Sequence, residues 1–159
     1  MDNIEYHLAT EADVDIILRY RIKFGEELAS TQVAADEATL RESLTEYFAR
    51  EVNRNYICWY ATHEGVVVSI AGLVVRVGPG NIKNPSGRWG YVMNVYTLPQ
   101  YRGRGLSSAI MDRLLATGVE RGITAFELHS TPAGEPVYIK AGFKLHNEPT
   151  YRKFITHTR

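Results

Sequence analysis

Arg102, Gly103, Arg104, Gly105, Leu106, Ser107 and Ser108 bring two cations, two glycines and two hydroxyls into seven consecutive residues. They follow the run Val95-Tyr96-Thr97-Leu98-Pro99 and precede a segment with helical periodicity, so the loop lies between a strand end and a helix start. The N–H groups of a first helical turn have no partner within the helix, and they sit at the positive end of its dipole. Such a loop binds anions. Gly103 and Gly105 allow a ligand close to the main chain, and Arg102 and Arg104 add positive charge. An oligophosphate is the expected ligand.

Two familiar phosphate loops can be compared with this one. A P-loop needs a lysine and then Ser or Thr after its last glycine, whereas Leu106 and Ser107 follow Gly105. A dinucleotide fingerprint would use Gly103 and Gly105, with Glu127 roughly 20 residues on as its ribose acid, but Ser108 stands where its last glycine belongs. No room then remains for the second half of a doubly wound fold. The single cysteine, Cys58, lies amid Tyr56-Ile57-Cys58-Trp59-Tyr60, where a thiol behaves as core, and it has no partner for an intramolecular disulfide. The histidines lack ligand spacing, so no metal is expected.

The scaffold is legible in the pattern. Ile4, Tyr6 and Leu8 alternate as a strand, and Thr10 with Asp13 reads as a helix cap. Val14, Ile17 and Leu18 then face one way on a helix that bends or ends near Gly25, with Arg19, Arg21, Lys23, Glu26 and Glu27 opposite. After a connection over 30–35, Asp36 caps a second helix carrying Leu40, Leu44, Tyr47 and Phe48 on one stripe. Runs over 56–61 and 66–77 form an antiparallel hairpin around His63-Glu64-Gly65, and Gly72 marks a bulge or close approach. A loop over 78–87, either a lid beside a site or simply a long hairpin loop, leads to a strand over 89–98. Leu106, Ile110, Met111, Leu114 and Leu115 share a helix that stops at Gly122, and 123–128 is a parallel strand. That crossover makes the carboxyl end of the earlier strand a ligand crevice. Ser130-Thr131-Pro132 starts a short helix to Gly142, and 143–145 with 150–156 read as a terminal hairpin. The order β-α-α-β-β-β-α-β-α-β-β describes one α/β domain over 1–159, a mixed sheet of about seven strands flanked by about four helices.

Lys plus Arg and Asp plus Glu number 18 each, so net charge is zero and neither nucleic acid nor an anionic membrane surface is an expected partner. No run is long and apolar enough to span a bilayer, and Met1-Asp2-Asn3-Ile4-Glu5 has no leader character, so a cytoplasmic protein is expected.

Two motifs in this order resemble the GNAT superfamily of N-acetyltransferases. Its signature, Arg or Gln, two residues, Gly, one residue, then Gly or Ala, is matched by Arg102-Gly103-Arg104-Gly105-Leu106-Ser107, with Ser107 replacing the last small residue. Tyr138-Ile139-Lys140-Ala141-Gly142-Phe143 is similar to the family's short helix with a tyrosine ahead of Gly-Phe. The resemblance implies a GNAT-like fold and an acetyl-CoA-dependent N-acetyltransferase acting on a primary amine of a small molecule or peptide. By it, N–H groups from Gly103 to Ser108 hold the pyrophosphate of acetyl-CoA, with Arg102 and Arg104 beside it. Val95, Tyr96 and Thr97 bind the pantetheine arm through main-chain groups. Tyr138 supports the departing sulfur. Thr131 stands where many members carry a pantetheine-binding asparagine, and a homodimer is implied.

Acetyl transfer from a thioester to an amine needs a neutral amine, oxyanion support and a stabilised thiolate. Tyrosine's ordinary pKa of about 10 lies above the roughly 8.5 of a thiol, so Tyr138 would donate a hydrogen bond to the thiolate rather than its proton. Glu26, Glu27, Glu127, His129 or a water relay are all open as the base. From another class, the chain would be a non-catalytic acyl-CoA sensor, for which a tyrosine at the sulfur has no use.

Overall fold

The apolar runs on either side of His63-Glu64-Gly65 set the centre of the sheet. β2 (Tyr56–His63) and β3 (Val66–Val77) pair antiparallel, and Glu64 and Gly65 take the turn at φ of 50° and 78°. β1 (Ile4–Leu8) pairs antiparallel with β2, β4 (Arg88–Thr97) antiparallel with β3, and β5 (Phe126–Glu127) parallel with β4. The sheet order is therefore β1-β2-β3-β4-β5. A computed structural model describes residues 3–29 and 37–155 of the chain.

Strand alternation sends side chains to two faces, and each face acquires its own helices. Tyr56 packs on Phe48 of α2 (Glu37–Glu51), ring centroids 4.9 Å apart, and Tyr60 donates to Asp13 just ahead of α1 (Val14–Ala29). On the opposite face Trp59 donates its indole N–H to Thr117 Oγ1 of α3 (Leu106–Glu120) at 2.9 Å. Leu73 and Gly90 share that second face, where a Cβ on Gly90 would strike Phe126 and Leu73. Ile57, Leu73, Ile110, Met111, Leu114 and Ile123 are fully buried between the sheet and α3, and Ile17, Val52, Tyr56 and Ile70 are fully buried on the α1–α2 side, so the core has two layers. Both residues of the cap at Thr10 form their bonds, Thr10 N–H to Asp13 at 2.8 Å and Ala12 N–H to Thr10 Oγ1 at 3.3 Å.

Gly72 is a close approach. A Cβ there would lie 2.1 Å from Tyr56 Oη, and that phenol is wedged beneath α2 and held by Asn94 Nδ2 at 3.0 Å. A Gly72→Ala variant is expected to lose about 1–3 kcal/mol of stability through overpacking, measured by denaturant melting. An unchanged midpoint would mean that Tyr56 moves aside freely and anchors nothing.

Several expectations need correction. The sheet has five strands among the described residues, not about seven. The expected terminal hairpin is absent: residues 143–155 form no strand, with Leu145 at 87% and Phe154 at 85% exposure, and Thr156 lies outside the described residues. A strand persists only against a neighbouring edge, and β5 offers two residues of ladder. Helix α1 also runs through Gly25 to Ala29 without stopping there, and α4 (Glu135–Lys140) begins at Glu135, with Pro136 in its first turn, rather than at Pro132. The connection over 30–35 and the cap at Asp36 lie outside the described residues. No helix among the described residues is long and apolar enough to cross a membrane.

Candidate functional site

Strands β4 and β5 touch only at Gly90–Phe126 and Tyr91–Glu127, and beyond that point they separate. From Val92 onward, the edge of β4 turned away from β3 therefore has no strand beside it among the described residues. A cavity of about 870 Å³ opens there, lined by β4, the loop after it, the first turn of α3, the segment from His129 to Gly134, α4 and the stretch of α1 from Arg21 to Glu27. This is the crevice at the carboxyl end of a parallel strand.

At its upper end lies the glycine loop. Gly103 and Gly105 take φ of 74° and 78°, and nothing lies within 4 Å of a Cβ built on either. Gly105 is the N-cap of α3 and supplies no side-chain cap, so the first N–H groups of the helix find no capping side chain and face the cavity. The signature can be laid on the chain in two frames. Starting at Arg102, its last small position falls on Ser107 inside α3; starting at Gln100, its glycine positions fall on Gly103 and Gly105, both with positive φ. The backbone satisfies the second frame, in which nothing departs from the pattern.

The remaining polar groups brace this loop. Ser107 Oγ lies 2.8 Å from Thr97 Oγ1, which lies 2.7 Å from the buried Ser69 Oγ, so β3, β4 and α3 are tied together at the cavity wall. Arg102 donates Nε to the Thr97 carbonyl at 2.9 Å and a terminal nitrogen to Glu27 Oε1 at 2.6 Å. That hydrogen bond, with a further one from Tyr96, holds the Glu27 carboxyl below its ordinary range. Burial, and then the bond to Glu27, push the Tyr96 phenol up to about 12. Arg104 stacks over Tyr101 at 5.2 Å.

A bulge shapes the middle of the cavity. Gly72 pairs with Met93 and Ile70 with Tyr96, so Ala71 faces both Asn94 and Val95, and Asn94 carries the strain at φ 55°. Its side chain accepts from Arg21 at 2.6 Å and donates to Tyr56 at 3.0 Å. A bulged residue drops out of the ladder, so the pairing of β4 with β3 is interrupted at Asn94 and Val95.

Tyr138 closes the far side. Gly134 N–H bonds Thr131 Oγ1 at 3.3 Å, α4 follows, and Phe143 meets the Tyr138 ring edge-on at 6.3 Å. Its hydroxyl has no hydrogen-bond partner among the described residues, and burial raises its pKa, which keeps the phenol a donor. Of the residues singled out in the sequence, Val95, Tyr96, Thr97, Arg102, Gly103, Gly105, Leu106, Ser107, Ser108 and Tyr138 line this one cavity, and Arg104 stands outside its lining. Glu27 and His129 line it too, whereas Glu127 lines a smaller hollow with Arg76, Trp89 and Tyr91. Sequence reasoning missed Asn94 and Tyr91, and placed Arg21 only on the polar face of the first helix. Only Asn94 had a signal, being a residue that tolerates positive φ within an otherwise apolar strand. Cys58 is buried, and that burial pushes its thiol well up, as for a core residue. Among the described residues no cluster of His, Cys, Asp or Glu is arranged to hold a metal ion.

The family model described as an acetyltransferase (GNAT) domain matches residues 22–159. The chain belongs to the GNAT acetyltransferase family. A domain of this family is an acyltransferase and takes acetyl-CoA as cosubstrate. Among solved structures, a predicted acetyltransferase with acetyl-CoA from Clostridium acetobutylicum is similar at 28% identity, covering 94% of this chain and 96% of that one, with TM-score 0.84. A GCN5-related N-acetyltransferase from Ralstonia eutropha JMP134 shares 25% identity over 95% of this chain and 99% of its own, with TM-score 0.81. The glucosamine-6-phosphate N-acetyltransferase of Arabidopsis thaliana, at 15% identity, 97% and 100% coverage and TM-score 0.67, shares the fold. A search of curated proteins returns no match.

Proposed function

We propose that this member of the GNAT family transfers the acetyl group of acetyl-CoA to a primary amine of a small molecule or peptide, directly and within a ternary complex. The observation that carries the reading is the start of α3, with no side-chain cap, behind two positive-φ glycines, at one end of a crevice whose other end holds a phenol with no hydrogen-bond partner among the described residues. Those features fit the cosubstrate's chemistry. The N–H groups of Gly103 to Ser108 would donate to the pyrophosphate oxygens, with Arg102 and Arg104 adding charge. The open edge of β4 from Val95 to Thr97 would hydrogen-bond the pantetheine as an added strand. Sulfur would then lie towards Tyr138 and the thioester carbonyl towards the bulge at Asn94.

In this arrangement the amine attacks the carbonyl carbon, a β4 N–H supports the oxyanion, and the C–S bond breaks with its electron pair leaving on sulfur. Tyr138 donates a hydrogen bond to that thiolate. The acceptor would enter on the face covered by α1, past Arg21 and Phe24. Direct attack is favoured over an acyl-cysteine because Cys58 is buried with a raised pKa.

Release of free CoA, followed with a thiol reagent, tests the function. Benzylamine, glycinamide and unblocked tripeptides serve as acceptors; at least one is expected to stimulate release well above the no-amine rate. Silence with all of them, despite acetyl-CoA binding, would favour an acyl-CoA sensor instead.

A further inference from the structure

The amine must lose a proton, and the candidate bases differ in what they already hold. Glu27 is committed to Arg102 at 2.6 Å and its carboxyl is held low, so it is a poor acceptor of protons. Glu127 lines only the smaller hollow, with Arg76, Trp89 and Tyr91, and Glu26 lines neither cavity. His129 lines the main cavity.

Its setting is specific. Tyr91 Oη lies 2.8 Å from His129 Nδ1, and the two rings are 5.7 Å apart. Tyr91 is in turn fixed from behind by Arg76, whose guanidinium carbon stands 3.9 Å from the ring centroid. This pair sits where β4 and β5 part, since Tyr91 is the last β4 residue in register with β5 and His129 lies two residues beyond its partner Glu127. The face also matters: Gly90 points to α3, so Tyr91 next to it points to the α1–α2 side, from which the acceptor would come.

Resting on the acetyl-transfer reading above, we infer that His129 is the general base that takes the acceptor amine's proton, and that Tyr91 is its positioning residue. In the working tautomer Nδ1–H donates to Tyr91 Oη, which leaves the Nε2 lone pair open to the cavity. As the C–N bond forms, the amine nitrogen gives a proton to Nε2, and the Nδ1–H bond to Tyr91 survives in the imidazolium. Collapse breaks the C–S bond, the electron pair leaves on sulfur, and the proton on Nε2 passes to solvent or to that thiolate. The products are the amide and CoA. The other charged and titratable groups lining the two cavities are Arg76 on β3, Tyr96 on β4, Tyr101 and Arg102 in the loop after it, Glu127 on β5, Tyr138 on α4, and Arg21 and Glu27 on α1.

The test uses the full chain, acetyl-CoA, and whichever of benzylamine, glycinamide or a tripeptide gives the fastest CoA release. His129→Gln should lower kcat about 100-fold, the scale of one general base, while acetyl-CoA affinity by calorimetry stays within about twofold. The natural chain is expected to show an acidic limb in its kcat–pH profile, and that limb should vanish in this variant. Tyr91→Phe retains the ring on which Arg76 stacks; it should displace that limb and lower kcat by about tenfold, again with acetyl-CoA affinity unchanged. An active natural chain whose His129→Gln variant keeps both its kcat and its acidic limb overturns the assignment and leaves acetyl transfer standing. Silence of the natural chain with every amine overturns the parent reading, and this assignment falls with it.

Discussion

A Gly105→Glu variant binds acetyl-CoA at least about 100-fold more weakly than the natural chain, measured by calorimetric titration. Two effects are separable. Any L side chain at φ 78° carries a backbone penalty of about 1–2 kcal/mol, and that part lowers folding stability. The carboxylate adds repulsion against an oligophosphate, and two unit charges about 4 Å apart near a protein surface interact by roughly 4 kcal/mol. Tenfold in affinity is about 1.4 kcal/mol, so half of that repulsion already exceeds a tenfold loss and most of it gives the predicted one. Gly105→Ala serves as the control, since nothing lies within 4 Å of the added Cβ: it should melt lower and still bind. Equal affinity of the glutamate variant would move the phosphate site elsewhere.

Tyr138→Phe should lower kcat by about 10- to 100-fold while the KM for acetyl-CoA stays within about twofold, because a bond made only to the developing thiolate is absent in the ground state. A hydrogen bond to a charged group is worth about 1.5–3 kcal/mol, which sets that range. The sign of the pH dependence follows from burial, which raises the Tyr138 pKa above the ordinary tyrosine value of about 10. The donor form is then complete at lower pH and is lost only as pH climbs through the raised value. The Tyr138-dependent part of the rate should accordingly be flat between about pH 7 and 9. Undiminished turnover in the phenylalanine variant would reduce Tyr138 to a packing residue against Phe143.

Local signals explain how much of this was legible in the sequence. The β2–β3 hairpin, the parallel crossover and the glycine loop each rest on short-range rules, alternation, turn residues and helix stops, and they appear where those rules put them, although the parallel strand expected over 123–128 keeps only Phe126–Glu127. Positions that depend on two distant segments meeting did not show. Asn94 is functional-looking only because Ala71 has to face two residues of β4, and Tyr91 matters only because His129 arrives beside it from β5. The frame of the signature was similarly ambiguous until the φ angles of Gly103 and Gly105 distinguished the two. The terminal segment failed for the opposite reason: Tyr151, Phe154 and Ile155 carry strand propensity, but no long β5 edge is there to receive them.

The central claim, that one crevice binds acetyl-CoA from the start of α3 to Tyr138, is tested most directly by following backbone amide resonances during titration with acetyl-CoA. Saturable shifts at Gly103, Gly105 and Ser107, together with Val95 to Thr97 and the α4 amides around Tyr138, are the predicted result. Shifts confined to another surface, or none with the cosubstrate at millimolar concentration, would contradict it.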